Sequence, residues 1–131
     1  MLNKIKKILI IDDDAPIREV INFILSNEGY EVFELDSGRL VLETVRDVQP
    51  DVILLDIMLG GTDGRDICKS LKVDTITSGI PIIMISASHG VHTVHETCNA
   101  DDYLAKPFNI DDLIKQVNRH ATPVEVGTSI A

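Results

Sequence analysis

Polar residues that could carry out phosphoryl or metal chemistry stand directly after short apolar runs in this sequence. Three consecutive aspartates occupy positions 12–14, and a fourth aspartate, Asp56, follows a second apolar run. Ser86 ends a third run, and Lys106 follows a short segment further along the chain. If these runs are parallel strands of one sheet, their carboxyl ends meet at one edge. The sequence therefore predicts a cluster of carboxylates with a hydroxyl and an ammonium group.

Carboxylates gathered in this way repel one another, and the repulsion limits what the cluster can do. Two unit charges about 4 Å apart at an effective dielectric of about 20 repel by roughly 4 kcal/mol. A hard divalent cation such as Mg²⁺ relieves this repulsion and binds carboxylate oxygens, backbone carbonyls and water. The set has no well-placed histidine or cysteine, which argues against zinc. Mg²⁺ bound in this way leaves positions for phosphoryl oxygens, and a carboxylate can itself form an acyl phosphate.

The apolar runs have the pattern of strands that are buried on both faces. Residues 8–11, 52–55 and 82–85 are apolar at every position, which is typical of central strands in a parallel sheet covered by helices. Residues 30–35 interleave two glutamates with apolar side chains, and residues 103–105 form only a very short run. We therefore expect these two segments at the edges of the sheet, where exposure is tolerated.

Segments with helical periodicity fall between the predicted strands. In each of them, apolar residues recur at intervals of three and four positions. Their approximate spans are residues 17–25, 37–48, 66–72, 89–98 and 110–117. We expect Asp14, Ser37 and Asn109 to cap the first, second and fifth helices, and Gly29 to end the first. The simplest arrangement is an α/β domain with the strand order 2-1-3-4-5 and helices on both faces of the sheet.

Length and composition restrict the class of protein. The chain has 131 residues, of which 44% are hydrophobic and 25% charged, as is typical of one globular domain. We place this domain at residues 1–120 and expect residues 121–131, which lack periodicity, to form a flexible tail. The formal net charge of −9 disfavours binding to nucleic acid or to an anionic membrane. Two cysteines and the absence of a signal-peptide pattern indicate a cytoplasmic protein.

Five stretches of the sequence resemble the motifs of one known family. They contain the acids after the first and third strands, an Asp-Gly pair, a Ser-Ala pair and a Lys-Pro-Phe sequence. They lie at residues 8–14, 53–59, 63–64, 81–87 and 100–108. In this order the chain resembles the receiver domain of two-component response regulators over about residues 4–120. The resemblance implies a flavodoxin-like, doubly wound sheet of five parallel strands with five helices, and a phosphoacceptor signalling domain rather than an enzyme.

The resemblance also implies a role for each matching residue. Asp56 would accept a phosphoryl group from a phosphohistidine of a sensor histidine kinase or a histidine phosphotransfer protein. Asp13 would bind Mg²⁺ directly and Asp12 partly through water, and Mn²⁺ could take the place of Mg²⁺. Asp56 and the backbone carbonyl of Met58 would be further ligands. Lys106 would pair with the phosphoryl oxygens.

According to the same resemblance, the phosphorylated state would be recognised at a different surface. Ser86 would move to hydrogen-bond the phosphate, and Tyr103 would swing inward behind it. The face formed by the fourth helix, the fifth strand and the fifth helix would then bind a downstream protein target. The Lys106–Pro107 peptide bond is cis in the family. Because the match covers nearly the whole chain, we hypothesise a stand-alone receiver that docks on a partner or relays the phosphate.

The sequence departs from the family pattern at three loop positions. Gly60 stands where the family usually has proline, Thr62 replaces a common apolar residue, and Asn99 replaces a frequent glycine. None of these changes removes a reacting group. They bear on the dynamics of the loops and on the lifetime of the phosphate rather than on the chemistry.

Two other classes of function are compatible with parts of the pattern. Asp12 and Asp14 are spaced as in haloacid-dehalogenase-like phosphatases, with Asp12 as the nucleophile, but that family normally needs a longer chain and further motifs. A flavin-binding electron shuttle can use a similar sheet, although the Ser/Thr/Gly-rich phosphate loop is missing after the first strand. His89, His92 and His95 recur at every third position, which favours a solvated helix face over a metal site.

Overall fold

The computed structural model describes residues 4–87 and 98–121, and a parallel sheet of five strands runs through this part of the chain. The strands of this sheet are β1 (Lys7–Ile11), β2 (Glu31–Leu35), β3 (Val52–Asp56), β6 (Ile82–Ser86) and β7 (Asp102–Ala105). Two further short strands, β4 (Met58–Leu59) and β5 (Thr62–Asp63), form a separate hairpin. The helices among the described residues are α1 (Ala15–Asn27), α2 (Val41–Val48), α3 (Gly64–Val73) and α4 (Ile110–Ala121). The sheet order β2-β1-β3-β6-β7 is the predicted order 2-1-3-4-5, which confirms the predicted fold class.

The three central strands are buried on both faces, as their sequence predicts. Every residue of β3 and β6 is buried, and β1 is buried from Ile8 onward. Successive side chains point to opposite faces, so one set packs with α2 and α3 and the other with α1 and α4. Fully burying each such apolar side chain stabilises the fold by roughly 1.5–3 kcal/mol. The sheet is therefore a firm platform for the polar residues at its carboxyl edge.

The two edge strands are β2 and β7, as predicted. Glu31 and Glu34 of β2 are exposed, and in β7 only Leu104 is fully buried. Each edge strand pairs with one neighbour, β2 with β1 and β7 with β6. The two glutamates of β2 therefore do not enter the core.

Three predicted helix boundaries are confirmed. The carboxylate of Asp14 accepts the N–H of Ile17 at 3.3 Å, which caps the start of α1. The side-chain oxygen of Asn109 accepts the N–H of Asp112 at 2.7 Å at the start of α4. Gly29, which follows the end of α1, has a positive φ of 98° that favours glycine.

The prediction that Ser37 caps the second helix is wrong. Helix α2 begins at Val41, and the preceding Leu40 has a left-handed backbone with a φ of 61° and makes no side-chain cap. The chain first passes close to α3, because a Cβ on Gly38 would lie 2.8 Å from the Cδ1 of Ile67. This close packing of Gly38 on α3 holds the preceding loop out of a helical conformation, so α2 begins only at Val41.

The third helix begins earlier than predicted, and an unpredicted hairpin precedes it. Helix α3 begins at Gly64 because the carboxylate of Asp63 accepts the N–H of Arg65 at 2.9 Å and caps the helix there. Strands β4 and β5 pair antiparallel across the two glycines at positions 60–61. Two-residue glycine turns are typical of hairpins, and this turn stands where the family pattern has proline.

Some predictions concern residues outside the described part of the chain. The predicted fourth helix, with the histidines at positions 89, 92 and 95, lies outside it, and the description resumes at Cys98. Residues 122–131 of the predicted tail also lie outside it. Ala121, the first residue assigned to that tail, is the last residue of α4 and is buried. Of the helices in the described ranges, none is long and apolar enough to cross a bilayer.

A carboxylate at the start of β7 joins this edge strand to α4. Asp102 accepts a hydrogen bond from Arg119 and contacts the Nε2 of His120 at 3.0 Å. Although burial raises the pKa of Asp102, its hydrogen bonds with His120, Tyr103 and Arg119 outweigh burial and hold the pKa below the usual value. The folded state therefore binds this proton less readily than the unfolded chain, and the charged carboxylate stabilises the fold.

We predict that Asp102→Asn lowers the free energy of unfolding at pH 7 by about 0.5–1 kcal/mol, because the ion pairs are partly screened by solvent. Since the pKa is lower in the folded state, this difference should disappear as the pH falls from about 4 through that lower pKa. Urea unfolding over a pH series measures both effects. A loss that is independent of pH would contradict the ionic origin of the stabilisation.

The matched control is Asp47→Asn. Asp47 is an exposed carboxylate of α2 and has no hydrogen-bond partner among the residues that the structure describes. The control should change the free energy of unfolding by no more than about 0.5 kcal/mol.

Candidate functional site

The carboxyl ends of the strands bring four predicted residues to one edge of the sheet. Asp12 directly follows β1, Asp56 is the last residue of β3, and Ser86 is the last residue of β6. Lys106 follows β7, where its backbone N–H donates to the carbonyl of Ser86 at 3.0 Å. Asp12, Asp56 and Ser86 are all buried. Residues that are far apart in the sequence are therefore neighbours at this edge.

The ammonium group of Lys106 lies between two carboxylates. Its Nζ is 3.1 Å from the Oδ2 of Asp12 and 3.1 Å from the Oδ2 of Asp56. The side chains of Asp12 and Asp56 are only 3% and 7% exposed. Because little water reaches these oxygens, the charges interact more strongly here than at the protein surface. Lys106 therefore compensates part of the negative charge of the buried pair.

Asp13 completes a group of three carboxylates. One oxygen each from Asp12, Asp13 and Asp56 lies within 4.8 Å of the others. Asp13 is exposed, so the group is open to solvent on its side. The single ammonium group leaves two of the three negative charges uncompensated. This all-oxygen donor set fits a hard divalent cation such as Mg²⁺ or Mn²⁺, and it offers none of the nitrogen or sulfur ligands that zinc prefers.

The surroundings shift the pKa values of the central pair. Burial raises the pKa of Asp56, and the negative charge of Asp12 adds to this, while hydrogen bonds from Met58 and Lys106 only partly offset the rise. Burial on its own lowers the pKa of Lys106, but the carboxylates of Asp56 and Asp12 raise it above the ordinary value. Lys106 is therefore protonated at neutral pH. Perturbed titratable groups at one cleft are typical of functional sites.

Backbone N–H groups fix the orientation of both buried carboxylates. The Oδ1 of Asp56 accepts the N–H of Met58 at 3.0 Å, and its Oδ2 is bonded to Lys106. The Oδ1 of Asp12 accepts the N–H of Asp14 at 2.9 Å, and its Oδ2 is also bonded to Lys106. Each carboxylate thus has one oxygen bound to the loop that follows its strand and the other bound to the ammonium group.

The other predicted site residues, Ser86, Met58 and Tyr103, differ in their exposure and in their distance from the buried carboxylates. A cavity of about 350 Å³ beside these carboxylates is lined by Asp56, Met58, Ser86, Ala87 and Lys106. The side chain of Met58 is 63% exposed at its rim, and Tyr103, which does not line the cavity, is 40% exposed on the edge strand. The Lys106–Pro107 peptide bond is cis, as the resemblance implies. The ligand role of the Met58 carbonyl stays a prediction.

Gly64 supports the site in a way that the sequence analysis missed. Its N–H donates to the carbonyl of Ile57 at 2.7 Å, and a Cβ on Gly64 would lie 2.1 Å from the carbonyl oxygen of Asp56. Only glycine lets α3 begin this close to the backbone of Asp56. The signal in the sequence is a glycine at a helix start, which is unfavourable for the helix unless close packing requires it.

Comparison with known proteins identifies the family. A family model described as the response regulator receiver domain matches residues 8–118. The chain therefore belongs to the family of response regulator receiver domains, as its motifs predict.

Individual relatives agree with this assignment. The DNA-binding response regulator MtrA of Mycobacterium tuberculosis (strain ATCC 25618 / H37Rv) is 38% identical, over 86% of this chain and 49% of the relative. The phosphate regulon transcriptional regulatory protein PhoB of Pseudomonas aeruginosa is 41% identical, over 93% of this chain and 58% of the relative. The crystal structure of a putative response regulator from Chloroflexus aurantiacus has a TM-score of 0.84 and 32% identity, and the match covers 92% of this chain and 100% of that chain.

The relatives differ from this chain in length. The chain spans about half the length of the curated relatives it matches. MtrA is named as a DNA-binding protein, so the prediction that this domain does not bind nucleic acid stays a prediction. The hypothesis of a stand-alone receiver also stays a prediction.

We predict that Gly64→Ala lowers the free energy of unfolding by about 2 kcal/mol or more, because the added Cβ has no room against the carbonyl of Asp56. Gly61→Ala is the matched control, since a Cβ there meets no atom within 4 Å. The control should change stability by less than about 1 kcal/mol. Urea unfolding of both variants measures the difference, and equal losses would contradict the close packing at Gly64.

Proposed function

We propose that this receiver domain is the phosphoryl acceptor of a two-component system. The proposed donor is a phosphohistidine on a sensor histidine kinase or a histidine phosphotransfer protein, and the proposed acceptor is Asp56. The observation that carries this proposal is the Asp56 carboxylate, which lies 3.1 Å from Lys106 and within a group of three acids that fits Mg²⁺. A lysine and a divalent cation beside one carboxylate supply the positive charge that an incoming phosphoryl group requires.

The proposed reaction is a transfer between two side chains. A carboxylate oxygen of Asp56 bonds to the phosphorus atom as the P–N bond to the donor histidine breaks. The electron pair of that bond stays on the imidazole nitrogen, and an aspartyl phosphate is formed. Hydrolysis by water later returns the carboxylate and releases inorganic phosphate. The domain catalyses only these steps on itself, so we describe it as a signalling domain rather than an enzyme.

The residues around Asp56 have separate roles in this proposal. Lys106 exchanges its contact with the Asp56 carboxylate for one with the phosphoryl oxygens, and the hydroxyl of Ser86 donates a hydrogen bond to them. Asp12, Asp13 and Asp56 would hold Mg²⁺, with the backbone carbonyl of Met58 as a further ligand. Bound Mg²⁺ supplies charge neutralisation at the transferred group.

The proposed output surface lies along the edge strand β7. Lys106 follows β7 directly and is joined to the end of β6 through its backbone N–H. A movement of Lys106 and Ser86 toward the phosphate therefore pulls on the strand that carries Tyr103. Tyr103 is partly exposed, and Ile110 at the start of α4 is 53% exposed. We propose that β7 and α4, together with the predicted fourth helix, form the face that docks on a downstream protein target.

We predict that Asp56→Asn abolishes phosphorylation, because a carboxamide cannot form an acyl phosphate. The protein is incubated with Mg²⁺ and either acetyl phosphate or a phosphorylated histidine kinase domain, and intact-mass spectrometry detects the added phosphoryl group. The parent and the Asp47→Asn control should gain the group, and Asp56→Asn should not. Phosphorylation of Asp56→Asn to the parent level would contradict the proposal.

Mapping the modified residue in the parent separates the receiver from the two other classes of function. A label on Asp56 supports the receiver, and a label on Asp12 supports the phosphatase. A bound yellow cofactor without any label supports the flavin shuttle. The geometry favours the receiver over the phosphatase, because Asp14, the second acid of the phosphatase pattern, caps α1 through the N–H of Ile17.

We predict that removing divalent cations abolishes phosphorylation, because three carboxylates with one ammonium group repel an incoming phosphoryl anion. The same mass measurement is made in excess chelator and again after Mg²⁺ or Mn²⁺ is returned. Phosphorylation should be lost in chelator and recover with either cation. Full phosphorylation in chelator would rule out the metal role of the acidic group.

A further inference from the structure

An arginine on α1 reaches the loop that carries the acidic group. The Nη1 of Arg18 donates to the backbone carbonyl of Asp12 at 2.7 Å. Its Nε donates to the Oε1 of Glu34 on β2 at 3.0 Å. The side chains of Arg18 and Glu34 are 16% and 30% exposed, so the ion pair lies at the surface and is partly shielded from solvent. Arg18 therefore bridges the edge strand β2 and the end of β1.

Glu34 is itself held in place by α1. The Nδ2 of Asn22 donates to the Oε2 of Glu34 at 2.6 Å, and the Oγ of Ser26 donates to the Oδ1 of Asn22 at 2.7 Å. Both oxygens of the Glu34 carboxylate thus have donors, one from Arg18 and one from Asn22. These bonds fix the carboxylate, which in turn fixes the guanidinium group.

The carbonyl of Asp12 belongs to the peptide group between the first two acids of the site. The N–H of Asp12 donates to the carbonyl of Leu35 at 3.1 Å, which is the last backbone bond between this part of the chain and β2. Beyond that bond, the sheet no longer orients the chain. The Arg18 contact orients the next peptide group, which joins Asp12 to Asp13.

We propose that Arg18, held by Glu34, is a positioning residue that orients the Asp12–Asp13 peptide group so that both carboxylates face the cation. This inference rests on the proposed function, because it gives the acidic group its role as a divalent-cation site. Arg18 does not touch the proposed cation or the phosphoryl group. It acts through the backbone that bears the ligands.

A purely electrostatic role for Arg18 predicts a different outcome. A positive charge near the site repels a cation, so removing it would tighten the binding of Mg²⁺. Positioning has the opposite sign, because a loosened loop binds Mg²⁺ more weakly. Arg18→Lys keeps the positive charge but loses the rigid guanidinium fork that reaches two acceptors at once. Arg18→Gln loses both the charge and the fork. The two variants together therefore separate positioning from charge.

The experiment is calorimetric titration of the full chain with Mg²⁺. Arg18→Lys and Arg18→Gln should both raise the dissociation constant, by about tenfold or more. Arg46→Gln is the matched control, because Arg46 lies on α2 and pairs with Asp74, away from the acidic group. It should leave the constant within about twofold of the parent value. Parent-like binding in Arg18→Lys, or tighter binding in Arg18→Gln, would overturn the proposal.

Hydrogen exchange of the metal-free protein gives a second measurement that needs no cation. The N–H of Asp14 donates to the Oδ1 of Asp12 at 2.9 Å, so its exchange rate reports on the order of this loop. Both Arg18 variants should speed the exchange of this amide, and Arg46→Gln should not. If the Arg18 variants do not fold, Glu34→Gln should also speed it, because the anchor of Arg18 is weakened. Unchanged exchange in the folded variants would overturn the proposal.

The two measurements also distinguish the failure of this inference from the failure of the proposed function. If the parent protein does not bind Mg²⁺, the proposed cation site is wrong and the positioning role falls with it, whatever the exchange data show. If the parent binds Mg²⁺ and the Arg18 variants match it in both measurements, only the positioning role is wrong.

Discussion

Two carboxylates buried at the same point of a sheet require a positive charge between them, and in this protein Lys106 supplies it. Its ammonium group bonds to both Asp12 and Asp56, which are almost inaccessible to solvent. An uncompensated buried charge costs several kcal/mol, so the lysine must remain protonated for the site to persist. The third acid, Asp13, leaves the site short of positive charge. This shortage favours a divalent cation, and in the proposed function the charge of that cation offsets the negative charge of the transferred phosphoryl group.

At this edge of the sheet, the fold holds like charges close together. Parallel strands bring their carboxyl ends to one side, and the apolar side chains of β1, β3 and β6 make those strands rigid. β3 and β6 end in the polar residues Asp56 and Ser86, and Asp12 directly follows β1. Backbone N–H groups of the following loops bind one oxygen of Asp12 and one of Asp56, which leaves the other oxygens for Lys106.

Sequence patterns predicted the sheet, its order and its edges because burial on both faces demands uninterrupted apolar runs, whereas the glutamates of β2 demand exposure. They also predicted the caps at Asp14 and Asn109, which depend only on near neighbours in the chain. The features that were missed depend on contacts across the fold. Ser37 does not cap α2 because Gly38 packs on a distant helix, and the roles of Gly64 and Arg18 follow from contacts with the backbone of Asp56 and Asp12.

In the proposed function, the acids that the sheet brings together form one cation site. Crystals grown with Mn²⁺ in place of Mg²⁺ test it directly, because anomalous scattering locates the manganese ion without any assumption about its ligands. We expect one ordered peak at coordination distance from the carboxylates of Asp13 and Asp56, with Lys106 still bonded beside it. A peak bound elsewhere, or the absence of any peak near Asp13 at saturating Mn²⁺, would contradict the proposed cation site.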